Sequence, residues 1–155
     1  MKSAFSIPIR VYYEDTDAGG VVYYANYLRF MERARTEWLR HLGFEQDELA
    51  RDSGVLFAVR SVKLEFLKPA RFNELLVATA EVHERGRASL TFRQQIRRGA
   101  ESANGTSLSR GPRLGPIGDI LCEGEIRVAC LGAESFAPCP IPPTILSRLD
   151  AGAQT

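Results

Sequence analysis

Between Asn26 and Leu42 the chain carries its one long helical pattern, and that pattern constrains the fold more than any other part of the sequence. Tyr27, Met31, Ala34, Trp38 and Leu42 recur at spacings of four, three, four and four, which lines up one helical face. Leu28, Phe30 and Leu39 widen that face, while Arg29, Glu32, Arg33, Arg35, Glu37 and Arg40 supply polar positions. At 1.5 Å per residue the helix is roughly 25 Å long, and Gly43 is placed to stop it. So broad an apolar face predicts a helix gripped by a curved sheet, not one lying on a flat surface.

The remaining periodic segments read as strands. Ser6 to Tyr13 alternates Ile7, Ile9, Val11 and Tyr13 against Pro8, Arg10 and Tyr12, and Pro8, which has no N–H, belongs near an edge. After a polar connection from Glu45 to Gly54, strand-like runs follow at Leu56–Phe66, Leu75–His83, Ser89–Arg97 and Ile120–Leu131. In the last of these, Gly124 reads as a bulge. One strand, a long helix and four strands with short turns imply an α+β fold, an antiparallel sheet packed on one helix.

Gly99 to Gly118 lacks periodicity and reads as a flexible excursion between two paired strands. Pro138–Pro143 reads as extended and Asp150–Thr155 as frayed, so the domain is expected over 1–145 with a tail at 146–155. The 155 residues suffice for one domain with a real core. A formal net charge of +1 gives no global basic field of the kind nucleic acid calls for. No apolar run approaches the roughly 20 residues that span a bilayer, and the N-terminus lacks the apolar core of a secretory signal. Cys122, Cys130 and Cys139 show no C-x-x-C spacing and read as reduced, buried thiols of a cytoplasmic protein. With only His41 and His83, a His-rich metal site is unavailable.

Just before the helix, Glu14, Asp15 and Asp17 are followed by Gly19 and Gly20. A calcium loop starting at Asp15 fails, because Gly19 stands at its fifth position and Asn26 at its twelfth, where ligands are needed. A D-x-D element also serves magnesium-dependent phosphotransferases, but those are usually built on repeated βαβ units, and this chain has one long helix. Solvated turn acids remain the structural alternative, although three neighbouring carboxylates repel one another. A carboxylate, a glycine hinge and a helix start with unpaired amides together suit a hydrolytic site.

Tyr13–Tyr23, Ala25–Leu28 and Glu32–Glu37 resemble the hotdog-fold acyl-CoA thioesterases of the 4-hydroxybenzoyl-CoA thioesterase family, nearest its Tol–Pal-associated, YbgC-type branch. The resemblance continues through Phe57–Arg60, Lys68–Arg71, Arg85–Leu90 and Glu123–Val128. It implies a hotdog fold, a five-stranded antiparallel sheet wrapped around one long central helix. It also implies an acyl-CoA substrate, no cofactor, and a homodimer, extended to a homotetramer, with sites at the subunit interface.

The resemblance makes Asp17 the catalytic carboxylate and the Tyr24 backbone N–H the group that polarises the thioester carbonyl. The YbgC-type branch usually has His at position 24, and the amide survives that change. Gly19, Gly20, Val22, Asn26, Val59, Arg85, Arg87 and Ser89 are expected at the substrate and CoA. The glycines allow close backbone approach, and the arginines suit phosphate by forked donation. Asp17 is expected to attack the carbonyl as a nucleophile or to activate water as a general base, with amides around Val22 to Tyr24 holding the oxyanion. A hotdog that binds acyl chains or partner proteins without catalysis is the rival reading.

Overall fold

The computed structural model describes residues 4–99 and 118–153. Its frame is one antiparallel sheet of β1 (Phe5–Arg10), β2 (Val55–Phe66), β3 (Leu75–Arg85), β4 (Ser89–Arg98) and β5 (Ile120–Gly132). The spatial order is β1-β3-β4-β5-β2, so β1, with Pro8, and β2 are the edges. The long helix α1 (Asn26–His41) lies on the inner face. Phe30, Met31, Ala34, Trp38 and Leu39 join Leu76, Ala78, Leu90, Phe92 and Ile126 in one buried core. Trp38 meets Phe92 edge-on, with ring centroids 5.0 Å apart and planes at 90°. The helix stops as expected: Gly43 takes φ 100°, and its N–H reaches the Arg40 carbonyl at 2.9 Å.

The sheet curls around α1 through register shifts at Val59/Ser61, Val82/Glu84 and Ile96/Arg97. Such irregularities add local twist and bend a strand. Gly124 is not one of them. It sits in regular register opposite Leu64 on one side and Gln94 on the other. Its small size has a different cause: a Cβ there would lie 2.2 Å from the Lys63 carbonyl oxygen and 2.5 Å from Leu64 Cδ2. Gly124→Ala is therefore expected to lower the unfolding free energy by about 3 kcal/mol, the upper end of ordinary overpacking. Urea denaturation would check this, and a loss below about 1 kcal/mol would show that the strands part easily there.

Other local expectations change for identifiable reasons. β1 ends at Arg10 rather than Tyr13, because Tyr13–Asp15 forms a 3-10 turn. Leu28 does not widen the buried face; it is 37% exposed, one step around α1 from Tyr27. The polar connection after α1 folds as a short helix α2 (Gln46–Glu48) and a π turn (Leu49–Ser53) that buries Leu49.

The proposed excursion falls almost wholly on residues 100–117, outside the described residues; its flanks are paired, Gly99 N–H to the Leu75 carbonyl and Gly118 N–H to that of Arg98. At the C-terminal end, Pro143–Ala153 forms helix α3, with Pro143 at the first helical position. It crosses the boundary drawn at residue 145. Ile145 is fully buried, with Leu146 and Leu149 packed on the core, and residues 150–153 are helical rather than frayed.

All three cysteines are unbridged. Burial pushes the Cys122 thiol up to about 12, and burial followed by a hydrogen bond to Cys139 does the same for Cys130. Cys139 itself is only half-buried.

Candidate active site

The acidic segment is shaped first by Asp15. Its carboxylate turns inward and accepts the Tyr12 N–H at 2.8 Å, while its backbone carbonyl accepts both the Tyr23 N–H at 3.0 Å and Asn26 Nδ2 at 2.9 Å. Asp15 and Asn26 are both buried. Asp15 thus supports the turn, and Asn26, in the first turn of α1, ties that turn to the helix start. Asn26 does not cap the helix; Ala25 holds that position and offers no side-chain bond.

Asp17 faces the opposite way. Its N–H bonds the Val21 carbonyl at 2.9 Å, and its carbonyl accepts the Gly20 N–H at 3.0 Å, closing a tight turn with Gly20 at φ 78°. Asp17 Oδ1 accepts the Gly19 N–H at 2.8 Å. The other carboxylate oxygen has no protein partner among the described residues, and the side chain is exposed on the single chain. Asp15 and Asp17 therefore do not converge on a common cation.

The turn is locked against residues 70–72. Val22 N–H bonds the Ala70 carbonyl at 2.8 Å, Phe72 N–H bonds the Gly20 carbonyl at 3.3 Å, and Val21 bridges to Arg71. Ala70 N–H is in turn held by the buried Tyr27 hydroxyl at 3.0 Å, and desolvation raises the pKa of that phenol. These locking residues were not singled out in the sequence, although Lys68–Arg71 stands among the resembling segments.

This lock corrects one expectation. The Val22 and Tyr23 amides are engaged, with Ala70 and Asp15 respectively, and cannot hold an oxyanion. The Tyr24 N–H has no acceptor among the described residues. Its ring is 61% exposed, 4.8 Å from that of Tyr23 and 6.2 Å edge-on to Phe66. A hydrogen bond to Tyr24 raises the pKa of Tyr23.

The structure thus brings together Asp17, Gly19, Gly20, Val22, Tyr24 and Asn26. It does not bring Val59, Arg85, Arg87 and Ser89 to them. Arg85, Leu90, Val128 and Val59 follow one another across the register of β3, β4, β5 and β2, so these residues share one end of the sheet. The Asp17 turn is locked to the segment entering β3 at Leu75, the other end. At about 3.3 Å per residue, β3 separates the two groups by roughly 30 Å.

At that far end, Gly86 N–H bonds the Ser89 carbonyl at 2.8 Å in a tight turn, and Ser89 is buried. Arg85 is committed to an ion pair with Asp150 of α3 at 2.8 Å. Arg87 is exposed and forms no ion pair among the described residues. A cavity of about 260 Å³ opens beside Val59, between the C-terminal half of α1 and the inner sheet face.

Comparison with known proteins agrees with this architecture. The chain is 39% identical over 144 residues to acyl-CoA thioester hydrolase YbgC of Escherichia coli O6:H1, covering 93% of this chain and 94% of the relative. It is 36% identical over 142 residues to acyl-CoA thioesterase YbgC of Haemophilus influenzae, covering 92% and 91%. The crystal structure of a probable thioesterase from Bartonella henselae superposes with a TM-score of 0.72 at 30% identity, covering 90% of this chain and 100% of that one. The thioesterase superfamily pattern matches residues 19–102. With more than half its length matched, and with the five-stranded sheet and central helix in place, the chain belongs to the thioesterase superfamily and has the hotdog fold.

Proposed function

We propose that this protein hydrolyses acyl-CoA thioesters to the free acid and CoA, and that Asp17 and the Tyr24 N–H perform the chemistry. The observation that carries this reading is that one short segment, Asp17 to Tyr24, locked through Val22 to Ala70, holds two unspent groups: a carboxylate oxygen and a backbone donor. The relatives named as acyl-CoA thioesterases over nearly the whole chain support the substrate. The bond from Gly19 fixes the orientation of the Asp17 carboxylate. Its other oxygen either adds to the thioester carbon, forming a mixed anhydride that water then cleaves, or takes a proton from an attacking water. In both routes the C–S bond breaks and CoA leaves as its thiol. The Tyr24 N–H lies where negative charge grows on the carbonyl oxygen; one such donor is worth about 3 kcal/mol. The route calls for no metal or organic cofactor.

The two ends of the sheet become one site when a second copy packs antiparallel to the first, with the Asp17 turn of one copy meeting the Val59–Arg87 end of the other. β2 favours this. It is a twelve-residue edge strand that exposes Val59, Val62 and Phe66, and unpaired edges of that kind recruit partners. Pairing of dimers into a tetramer and residence in the cytoplasm complete the proposal; no helix among the described residues is long and apolar enough to cross a membrane.

Release of CoA thiol from short, long and aromatic acyl-CoAs tests the reading, with sedimentation of the same samples reporting the assembly. No thiol release from any of them would leave a binding module instead. Arg87→Ala is expected to raise KM for acyl-CoA about ten-fold with kcat nearly unchanged, the signature of lost ground-state binding to phosphate. An unchanged KM would remove Arg87 from the CoA path.

A further inference from the structure

The cavity beside Val59 has an apolar wall of Trp38, Phe57, Leu90 and Phe92 and a polar one to which Glu32, Arg35, Thr36 and Gln46 contribute. Arg35 is half-buried, and its one hydrogen-bond partner among the described residues is the amide oxygen of Gln94, 2.9 Å from Nη1. Glu32 lies at the exposed rim and makes no ion pair with Arg35 among the described residues. A half-buried guanidinium whose one hydrogen-bond partner is neutral is left undersatisfied. Burial lowers the pKa of Arg35, and the charge of Glu32 acts in the opposite direction. The remaining N–H groups of Arg35 provide the forked geometry that a carboxylate accepts.

We propose that this cavity binds an apolar molecule ending in a carboxylate, with the apolar body among Trp38, Phe57, Leu90 and Phe92 and the carboxylate on Arg35. Two sources share that chemistry: a free carboxylic acid, the class of product the reaction releases, and the far carboxyl of a dicarboxylic acyl group carried on CoA. Only the second rests on the proposed thioesterase activity.

Trp38 is the only tryptophan of the chain and lines the cavity, so its fluorescence reports occupancy without any turnover. Titration of the intact protein with octanoate is expected to change the emission at concentrations roughly 10–100-fold below those needed for 1-octanol, the margin of a charge-assisted bond. Arg35→Met is expected to abolish that margin, and Arg35→Lys, which keeps the charge but not the fork, to retain part of it. Equal binding of octanoate and octanol by the wild-type protein, no emission change with either, or an undiminished margin in Arg35→Met would overturn the proposal even if hydrolysis is intact. Wild-type hydrolysis of suberyl-CoA and octanoyl-CoA then identifies the source. A kcat/KM ratio favouring suberyl-CoA that collapses in Arg35→Met assigns the carboxylate to the acyl group. A ratio at or below one, beside tight octanoate binding, assigns it to the free acid.

Discussion

Asp17→Asn is expected to lower kcat/KM for acyl-CoA hydrolysis by about 10³-fold, within the range that loss of a general base or nucleophile produces. The substitution is nearly isosteric. The amide oxygen of Asn still accepts the Gly19 N–H bond now made by Asp17 Oδ1. The Asp17–Gly20 turn depends on backbone bonds to Val21 and within itself, which the change leaves in place. The lock through Ala70 and Tyr27 is likewise untouched. The side chain is exposed, so its charge contributes little to folding. What disappears is the ionised oxygen that has no protein partner. Thiol-release kinetics at saturating and limiting substrate would show a fall in kcat, while thermal unfolding stays near that of the wild type. Tyr24→Phe serves as the companion: it keeps the backbone donor and is expected to leave kcat close to normal. Activity of Asp17→Asn within ten-fold of wild type would move the chemistry elsewhere.

The sequence makes the frame legible because its signals are local. The spacing of Tyr27, Met31, Ala34 and Trp38 states which face of α1 is buried, and alternation states the strands. The catalytic candidate is legible as a motif for the same reason. What escapes is decided at a distance. Whether the Val22 amide is available depends on the carbonyl of Ala70, nearly fifty residues downstream. Whether Arg85 can meet a phosphate depends on Asp150, in a helix whose few apolar positions, Ile145, Leu146 and Leu149, make a weak periodic signal after a proline-rich stretch. Gly124 looks like a bulge because glycine in a strand commonly marks one; its role is instead clearance for the Lys63 backbone on the next strand. The separation of Asp17 from Arg87 is a matter of strand length and register, which become visible only when the sheet is assembled.

Gln94→Leu is expected to be the most destabilising polar-to-apolar change at a position of this size. Gln94 is fully buried on β4, and its side chain joins three elements. Its Nε2 donates to the Met31 carbonyl of α1 at 3.0 Å and to the Thr79 carbonyl of β3 at 2.9 Å, and its Oε1 accepts from Arg35 at 2.9 Å. Leucine fills similar space, so the loss is one of hydrogen bonds rather than volume. A bond to a charged group is worth about 1.5–3 kcal/mol and each neutral one about 0.5–1.5, so the three together are worth roughly 2.5–6 kcal/mol. Against a typical total of about 5–15 kcal/mol this is a large fraction. Urea unfolding at fixed protein concentration would read it directly. Much of the cost belongs to Arg35, left half-buried with no hydrogen-bonding partner, so adding Arg35→Met to Gln94→Leu should return part of the lost stability. That non-additivity distinguishes a stranded charge from a simple packing defect. A Gln94→Leu cost below about 1 kcal/mol, or strictly additive losses in the double variant, would show that water reaches Arg35 and relieves it.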